Sequence, residues 1–172
     1  DAEILPLIRA AVGVRYEDAT QIVRTGNRFG ETPFAEPVEI ENTYWLPTAT
    51  VTWNFAEDLQ LRMGYSQTVA RPQFRELAFS PYIDPETGRT YKGLPVLQDS
   101  EFQNYDARLE YYFGQNQFVT AGVFYKNIDQ PIEEVIVPTG DGTSTLTTFL
   151  NAPQATLYGA EFEYRTNFTL PI

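Results

Sequence analysis

The sequence predicts an all-β protein: antiparallel strands with short periplasmic turns and long extracellular loops, forming part of a transmembrane β-barrel. Apolar and polar residues alternate through two neighbouring segments, Thr48–Phe55 and Leu59–Ser66, which a short polar turn at Ala56–Asp58 joins. A long segment rich in proline follows from Ala70. Short turns at one end of the strands and long loops at the other are typical of outer-membrane barrels. No run of about eighteen apolar residues is present, which excludes a transmembrane helix.

The composition excludes several classes of function. Aromatic residues make up 15% of the 172 residues, which suits strands and the girdles at a membrane interface. The net charge of −11 argues against nucleic acid as a partner, because binding to phosphates requires clustered Lys and Arg. The chain has no Cys and no His, so it lacks the commonest general base and the commonest metal ligands.

Six membrane-crossing strands are predicted from the alternation along the chain. The segments Asp18–Asn42 and Ala70–Gln103 are rich in Gly, Pro and polar residues and predict the long loops. The segments Ile132–Val137 and Thr145–Leu150 predict a hairpin that stands above the membrane as a third long connection. The predicted crossings are Leu7–Glu17, Thr48–Phe55, Leu59–Ser66, Asn104–Phe113, Phe118–Asn127 and Leu157–Phe168.

The alternation also predicts which residues face the lumen and which face lipid. Charged residues of both signs fall on one face of the strands, where they can pair across strands, whereas they would be costly against lipid. The lumen-facing set is Arg62, Asp106, Arg108, Glu110, Glu161, Glu163 and Arg165. Aromatic residues on the opposite face are predicted to meet the membrane: Trp53, Tyr65, Tyr111, Tyr125 and Tyr164.

Four residues of the second long loop are candidates for contact with a substrate: Arg71, Phe74, Tyr82 and Tyr91. Aromatic loop residues can stack on sugar rings or on a siderophore, and an Arg-Pro element can shape an entrance. The structural alternative for Arg71 and Pro72 is that the proline fixes where the chain leaves the sheet. The structural alternative for the aromatic residues is that they pack the loop against itself.

No catalytic residue, cofactor or metal site is predicted. The carboxylates on alternate positions of the strands resemble a glycosidase pair, but alternation alone does not give the separation across one bond that hydrolysis requires. They are interpreted as an ion-paired lumen wall. The stretch Gly140–Thr143 resembles a calcium loop but lacks a full set of oxygen ligands, so it is interpreted as a turn.

The order of short motifs resembles the late barrel region of TonB-dependent outer-membrane receptors. The chain reads Gly64-Tyr65-Ser66-Gln67-Thr68, then Ala70-Arg71-Pro72 with Phe74, then Gly93-Leu94-Pro95-Val96-Leu97, a variant of a Gly-Asn-Pro-x-Leu element. It continues with Asn104-Tyr105-Asp106, Leu109–Phe113, Val123–Ile128, and Asn151 with Tyr158–Glu163. The spellings around Arg71-Pro72 and Phe124–Lys126 are similar to a proteobacterial subgroup linked to glycan uptake.

The resemblance implies part of a transporter for active uptake of a scarce substrate, such as siderophore-bound iron, a vitamin or a glycan, and not an enzyme. The implied location is the outer membrane of a Gram-negative bacterium. The implied partners are outer-membrane lipid, the remainder of the barrel, a plug domain that connects to TonB, and a small-molecule or oligosaccharide substrate. Residues 1–172 are expected to be a partial barrel segment without a plug, and thus an internal fragment.

Two alternatives from other classes remain open at this point. One is a complete eight-stranded outer-membrane barrel with a structural or adhesive role, in which Ile132–Leu150 supplies two more crossings. Glu133 and Glu134 are adjacent, so one of them would then face lipid. The other is a soluble β-sandwich that binds carbohydrate, in which the apolar faces of two sheets cover each other.

Overall fold

A computed structural model describes residues 2–5, 7–26, 36–139 and 145–167. These residues form strands with one short helix. The elements are β1 (Ala2–Leu5), β2 (Ile8–Val23), β3 (Val38–Ala56), β4 (Leu59–Ala70), α1 (Phe74–Leu77), β5 (Pro81–Ile83), β6 (Thr90–Lys92), β7 (Ser100–Gly114), β8 (Gln117–Asp129), β9 (Ile132–Pro138), β10 (Thr145–Asn151) and β11 (Gln154–Arg165).

The long strands form one antiparallel sheet in the order β1-β2-β3-β4-β7-β8-β11. Each of the six predicted crossings corresponds to one long strand of this sheet, and consecutive crossings are neighbours. The chain turns tightly at Glu57-Asp58 and at Gln115-Asn116, where Asn116 has a φ of 57°. Both turns lie at one end of the sheet, which we call the turn end. The long connections lie at the opposite end, which we call the loop end.

The first two long strands extend further toward the loop end than the apolar pattern predicts. Alternation of apolar residues ends at Glu17, but β2 continues to Val23 and β3 begins at Val38, and the two remain paired as far as Val23 with Val38. The prediction that Asp18–Asn42 is loop is therefore wrong for its two ends, Asp18–Val23 and Val38–Asn42. Apart from Val38 and Ile40, the outer parts of the two strands show no regular apolar alternation, so their pairing leaves little trace in the sequence. The turn signals Asn27, Gly30 and Pro33 lie outside the described residues.

A short strand before the first crossing was not predicted. β1 pairs with β2 through Ala2 with Ala10 and Glu3 with Arg9, and the register shifts before Leu5 with Ile8. Four residues are too few to establish a period of two. The sheet therefore ends at β1 on one side and at β11 on the other.

The second long loop is more ordered than the sequence predicts. It contains α1, β5 and β6, and β7 begins at Ser100 rather than at Asn104. α1 starts after Gln73, whose backbone N–H donates to the Glu76 carboxylate at 2.8 Å. The backbone N–H of Leu94 donates to Glu76 O at 2.6 Å, and that of Gly93 donates to Ala78 O at 3.1 Å. The chain after β6 is thereby packed against the end of the helix.

The predicted hairpin of β9 and β10 is present but forms no part of the long sheet. It joins β5 and β6 in a separate sheet of order β5-β6-β10-β9, which we call the loop sheet. The hairpin therefore adds no crossing to the long sheet, against the eight-stranded alternative. The predicted turn at Gly140–Thr143 lies outside the described residues.

The buried apolar core lies between the loop sheet and the loop ends of β2 and β3. Val23 and four residues of the connections are each at most 8% exposed, and Val38 and Ile40 pack against them: the four are Leu77, Tyr91, Leu97 and Phe149. These residues come from three parts of the sequence. The second long connection (Arg71–Asp99) and the third, which contains the β9–β10 hairpin, thus pack together into one unit at the loop end.

At the loop end, beyond the last backbone pair of β3 and β4, side-chain contacts join the chain at the end of β4 to β2. The β3–β4 ladder begins at Thr48 with Ser66, next to Pro47, whose ring nitrogen has no N–H to donate. Beyond this point Arg71 Nη2 contacts Glu17 Oε2 at 2.8 Å, and Gln21 Nε2 donates to Pro72 O at 2.8 Å. The strand that leaves the sheet at Pro72 is therefore fastened to β2, which is two positions away in the sheet.

None of the helical residues in the described part of the chain forms a segment long and apolar enough to cross a membrane.

Candidate functional site

The predicted charged residues meet on one face of the long sheet, which we call the charged face. Arg62, Arg108, Gly122 and Glu161 are directly opposite one another on four successive strands. They line a cavity of about 390 Å³ with Asp106 and Glu110 among others. Gly122 leaves a gap between Arg108 and Glu161, because a Cβ added there would approach no atom closer than 3.7 Å.

Glu110 is the most deeply buried charged residue on this face, at 5% exposure. Its Oε1 lies 3.5 Å from Arg62 Nε, and its Oε2 accepts a hydrogen bond from the Tyr112 hydroxyl at 2.6 Å. A buried carboxylate needs partners of this kind to offset the loss of hydration. The carboxylate in turn partly neutralises Arg62, which stands opposite Arg108.

The remaining two predicted lumen residues lie toward the turn end of β11. Glu163 Oε1 and Arg165 Nη2 are 3.2 Å apart, and the Arg165 guanidinium lies over the Phe118 ring, 4.9 Å from its centroid. All seven predicted residues therefore share the charged face. Five of them line one cavity, while Glu163 and Arg165 form a separate pair near the turn end.

The predicted aromatic residues lie on the opposite face, which we call the aromatic face. Near the loop end Tyr65, Tyr105 and Tyr125 are in register, with ring centroids 5.0 and 6.2 Å apart. Near the turn end Phe113 packs between Tyr111 and Tyr164, with both centroid distances at 6.0 Å. Eight residues separate Tyr105 from Phe113, or about 26 Å along a strand at about 3.3 Å per residue.

Apolar side chains between these two bands are uncovered. Leu109, Val123 and Phe162 are 42%, 59% and 73% exposed. The soluble sandwich requires a second sheet over this face. The only other sheet among the described residues, the loop sheet, packs at the loop end instead.

The four predicted substrate contacts do not meet in one site. Arg71 and Phe74 border a cleft of about 850 Å³ together with Ala19–Ile22 of β2. Arg71 is held there by Glu17, whereas Phe74 is 65% exposed. Tyr82 and Tyr91 line a different cavity, of about 530 Å³, between the two long connections.

Tyr91 takes part in packing more than in forming a surface for a ligand. It is 8% exposed, and its ring stacks between Tyr82 and Phe149 at centroid distances of 5.5 and 6.1 Å. Its hydroxyl contacts Glu134 Oε2 at 3.3 Å. Burial raises the pKa of Tyr82 above its ordinary value, so this phenol also stays neutral. This packing supports the alternative in which loop aromatics fold the loop.

Two further features of the loop end were given no structural role from the sequence, although Asn151 belongs to the motif series quoted above. The Asn151 side chain donates to the carbonyls of Gln98 and Gln130 at 2.9 and 2.8 Å, and its Oδ1 accepts from the Gln98 N–H at 2.8 Å. Asn151 thus joins the two long connections. The second feature is a cavity of about 370 Å³ that contains Asp99, Glu101 and Asp129. These residues carry no periodic signal, because they lie where strands begin and end.

Within the described residues, no group of three or more acidic, His or Cys side chains is arranged to hold a metal ion. The two polar cavities at the loop end and the charged face present charged and hydrogen-bonding side chains. No triad or close carboxylate pair for hydrolysis was predicted, and none is needed to explain the charged face, on which Glu110 contacts Arg62 and Tyr112 and Glu163 contacts Arg165.

Comparison with known proteins gives one family and several structures. Residues 5–172 match the model of the family described as TonB dependent receptor-like, beta-barrel. A search of the curated proteins found none that matches.

The solved structures that match are outer-membrane receptors of much greater length. A ferric enterobactin receptor variant from Pseudomonas aeruginosa, in complex with enterobactin, has a TM-score of 0.62 at 17% identity over 93% of this chain and 22% of its own. The Serratia marcescens hemophore receptor, in complex with its hemophore and heme, has a TM-score of 0.62 at 15% identity over 90% of this chain and 27% of its own. The siderophore receptor PirA from Pseudomonas aeruginosa has a TM-score of 0.58 at 14% identity over 89% and 30%. The chain thus spans less than a third of each.

Proposed function

Since the chain belongs to the TonB-dependent receptor family, in its β-barrel region, we propose that it forms part of the wall and external loops of an outer-membrane transporter. The transporter takes up a scarce substrate such as siderophore-bound iron, a vitamin or a glycan. The chain contributes no catalytic group. Its partners are outer-membrane lipid, the rest of the barrel, the plug and, through the plug, TonB. The fold shared with siderophore and hemophore receptors supports this assignment.

The observation that carries the proposal is the difference between the two faces of the long sheet. One face presents uncovered Val, Phe and Tyr side chains between two aromatic bands. The other presents Arg and Glu side chains that contact one another. Each face suits one environment only, because charge on the lipid side costs about 2–4 kcal/mol at the bilayer midplane. The aromatic face is therefore assigned to lipid and the charged face to the lumen.

A pair of adjacent cysteine variants tests this assignment in the complete receptor. Gly122→Cys and Val123→Cys lie on the same strand and on opposite faces, and residues 1–172 contain no other Cys. Each is labelled with an environment-sensitive fluorophore and placed in bilayers that contain brominated lipid. Quenching is expected at Val123 and not at Gly122. Equal quenching at both, or quenching at Gly122 alone, would contradict the assignment.

Transport is tested separately in cells that produce the complete receptor. A ferric siderophore, cobalamin and an oligosaccharide are each supplied in labelled form to cells with and without TonB. Accumulation of one of them that needs both the receptor and TonB is the expected result. Residence in the outer membrane without TonB-dependent uptake of any substrate class would overturn the transport assignment and leave the barrel assignment intact.

A further inference from the structure

The loop end of this chain carries an excess of carboxylates around its polar cavities. The cavity of about 370 Å³ is lined by Asp99, Glu101 and Asp129, and none of its lining residues is Lys or Arg. Glu101 and Asp129 are directly opposite each other where β7 and β8 meet the connections, and both are exposed. Like charges placed opposite each other destabilise a sheet unless a cation lies near them.

Asp99 makes this cavity more than a solvated acidic surface. It is 6% exposed, and its Oδ2 accepts hydrogen bonds from Asn42 Nδ2 at 3.1 Å and from the Tyr44 hydroxyl at 3.0 Å. Its Oδ1 is buried and has no partner among the described residues. A buried carboxylate oxygen without a donor is costly. Both partners of Oδ2 are neutral, so a cation bound in the cavity would be attracted to the uncompensated negative charge of this carboxylate.

The second polar cavity of the loop end has the same sign of charge. It is lined by Asp84, Glu86 and Glu134 against the single cation Arg75. The Thr87 hydroxyl and the Glu86 N–H donate to Asp84 and hold the pKa of this carboxyl below its ordinary value. Asp84 is therefore ionised at any pH at which the receptor would work. This second cavity is built from different residues, so it is independent evidence that the loop end attracts cations.

We propose that the substrate carries a cationic amine or guanidinium group, which binds in the cavity of Asp99, Glu101 and Asp129. The inference rests on the proposed uptake function and names its substrate class. An organic cation fits better than a metal ion, because the described acidic side chains do not converge on one point. Carboxylates around an entrance raise the local concentration of cations and repel anions. A ferric chelate with net negative charge would therefore be disfavoured at this end of the barrel.

Three oligosaccharides of equal length test the charge preference on the complete receptor. The probes are a glucosamine tetramer, its N-acetylated form and a tetramer of uronic acid, measured by calorimetry at about pH 6, below the ordinary pKa of an amine. The glucosamine tetramer is cationic, the acetylated one neutral and the uronate anionic. We expect the cationic tetramer to bind at least tenfold more tightly than the neutral one, and this difference to shrink at high salt.

Variants locate the preference in the cavity. Asp99→Asn and the double variant E101Q/D129N should each lower the advantage of the cationic tetramer by about tenfold. The control is Glu41→Gln, which removes one charge at an exposed position of β3 outside the cavity. It should change the advantage of the cationic tetramer little. Asn at position 99 can still accept from Asn42 and Tyr44, so the fold is retained.

Two results would overturn the inference: equal or tighter binding of the neutral or anionic tetramer, or no binding of the cationic one. An equal loss in Glu41→Gln would also overturn it, because the effect would then be one of net charge. These outcomes leave the proposed function standing, since that function is judged by TonB-dependent accumulation of a substrate of any charge.

Discussion

At the scale of single residues, Gly93 shows why one position of the loop accepts no side chain. The backbone at Gly93 lies against the end of α1, where a Cβ would be 2.5 Å from Ala78 O and 2.6 Å from Glu76 O. Both obstacles are backbone atoms, so neither can swing aside as a side chain could. The Gly of the motif Gly93–Leu97 is thus explained by packing and not by contact with a ligand.

Gly93→Ala is expected to open the second long connection. The backbone must move away from α1, which we expect to cost about 2 kcal/mol, within the range for overpacked sites. At about 1.4 kcal/mol per tenfold change, trypsin should then cleave after Arg89 or Lys92 about thirtyfold faster in the complete receptor. Gly122→Ala is the matched control, because its Cβ meets nothing closer than 3.7 Å. Equal cleavage of the two variants would contradict this account.

The face on which a strand residue lies could be predicted from the sequence. The contacts of residues in the connections could not. The period of two assigns Arg62, Arg108 and Glu161 to one face, and the cross-strand register confirms that they share it. Asp99 precedes β7 and Asn151 ends β10, and their partners are at least 21 residues away in the sequence. A sequence without alignment contains no sign of such long-range pairs.

At the scale of secondary-structure elements, the end of β4 is fastened to β2 by side chains. Pro47 ends the β3–β4 ladder, and the ion pair of Arg71 with Glu17 then bridges the gap. Arg15 Nε also lies 2.9 Å from Glu17, on its other carboxylate oxygen. The side chains of Arg71 and Glu17 are only 30% and 16% exposed, so this pair is better shielded from water than a surface pair.

The ion pair gives a way to separate the two interpretations of Arg71. If Arg71 only fastens the loop, Arg71→Ala and Glu17→Ala should reduce substrate binding equally, and the double variant should be no worse than either. If Arg71 contacts the substrate, Arg71→Ala should reduce substrate binding further in a chain that already carries Glu17→Ala. We expect the first result, with a coupling energy of about 1 kcal/mol in the double-mutant cycle. Additive losses in binding would instead make Arg71 a ligand contact.

The same element-level argument explains what sequence reasoning missed in the loops. The prediction of long irregular loops failed for β5, β6 and the outer parts of β2 and β3, because these segments are too short or too irregular in sequence to establish a period of two. The hairpin β9–β10 was predicted correctly, since two short runs with apolar residues flank turn signals at Pro138, Gly140 and Gly142 of the sequence. The hairpin pairs with β6 in parallel, through Thr147 with Tyr91, and no local pattern could indicate this pairing.

At the scale of the whole molecule, the long sheet has two open edges. Within the described residues, β1 and β11 each pair with a strand on one side only, and the aromatic face between them is uncovered. Barrels remove such edges by closure, and an open sheet with an apolar face is a template for pairing with other chains. This chain covers only 22–30% of the matched receptors. The remaining strands of such a barrel would supply the missing partners.

An isolated chain of residues 1–172 is therefore expected to aggregate without detergent. Refolded in water, it should elute in the void volume on size-exclusion chromatography, because both edges and the aromatic face are free to associate. In detergent micelles the face should be covered while the edges stay open, which predicts small oligomers and not a uniform monomer. The complete receptor in the same detergent, with its barrel closed, serves as the control and should elute as one species. A monodisperse monomer of the isolated chain in water would show that the aromatic face is covered within the chain itself, and the lipid-facing assignment would then fail with it.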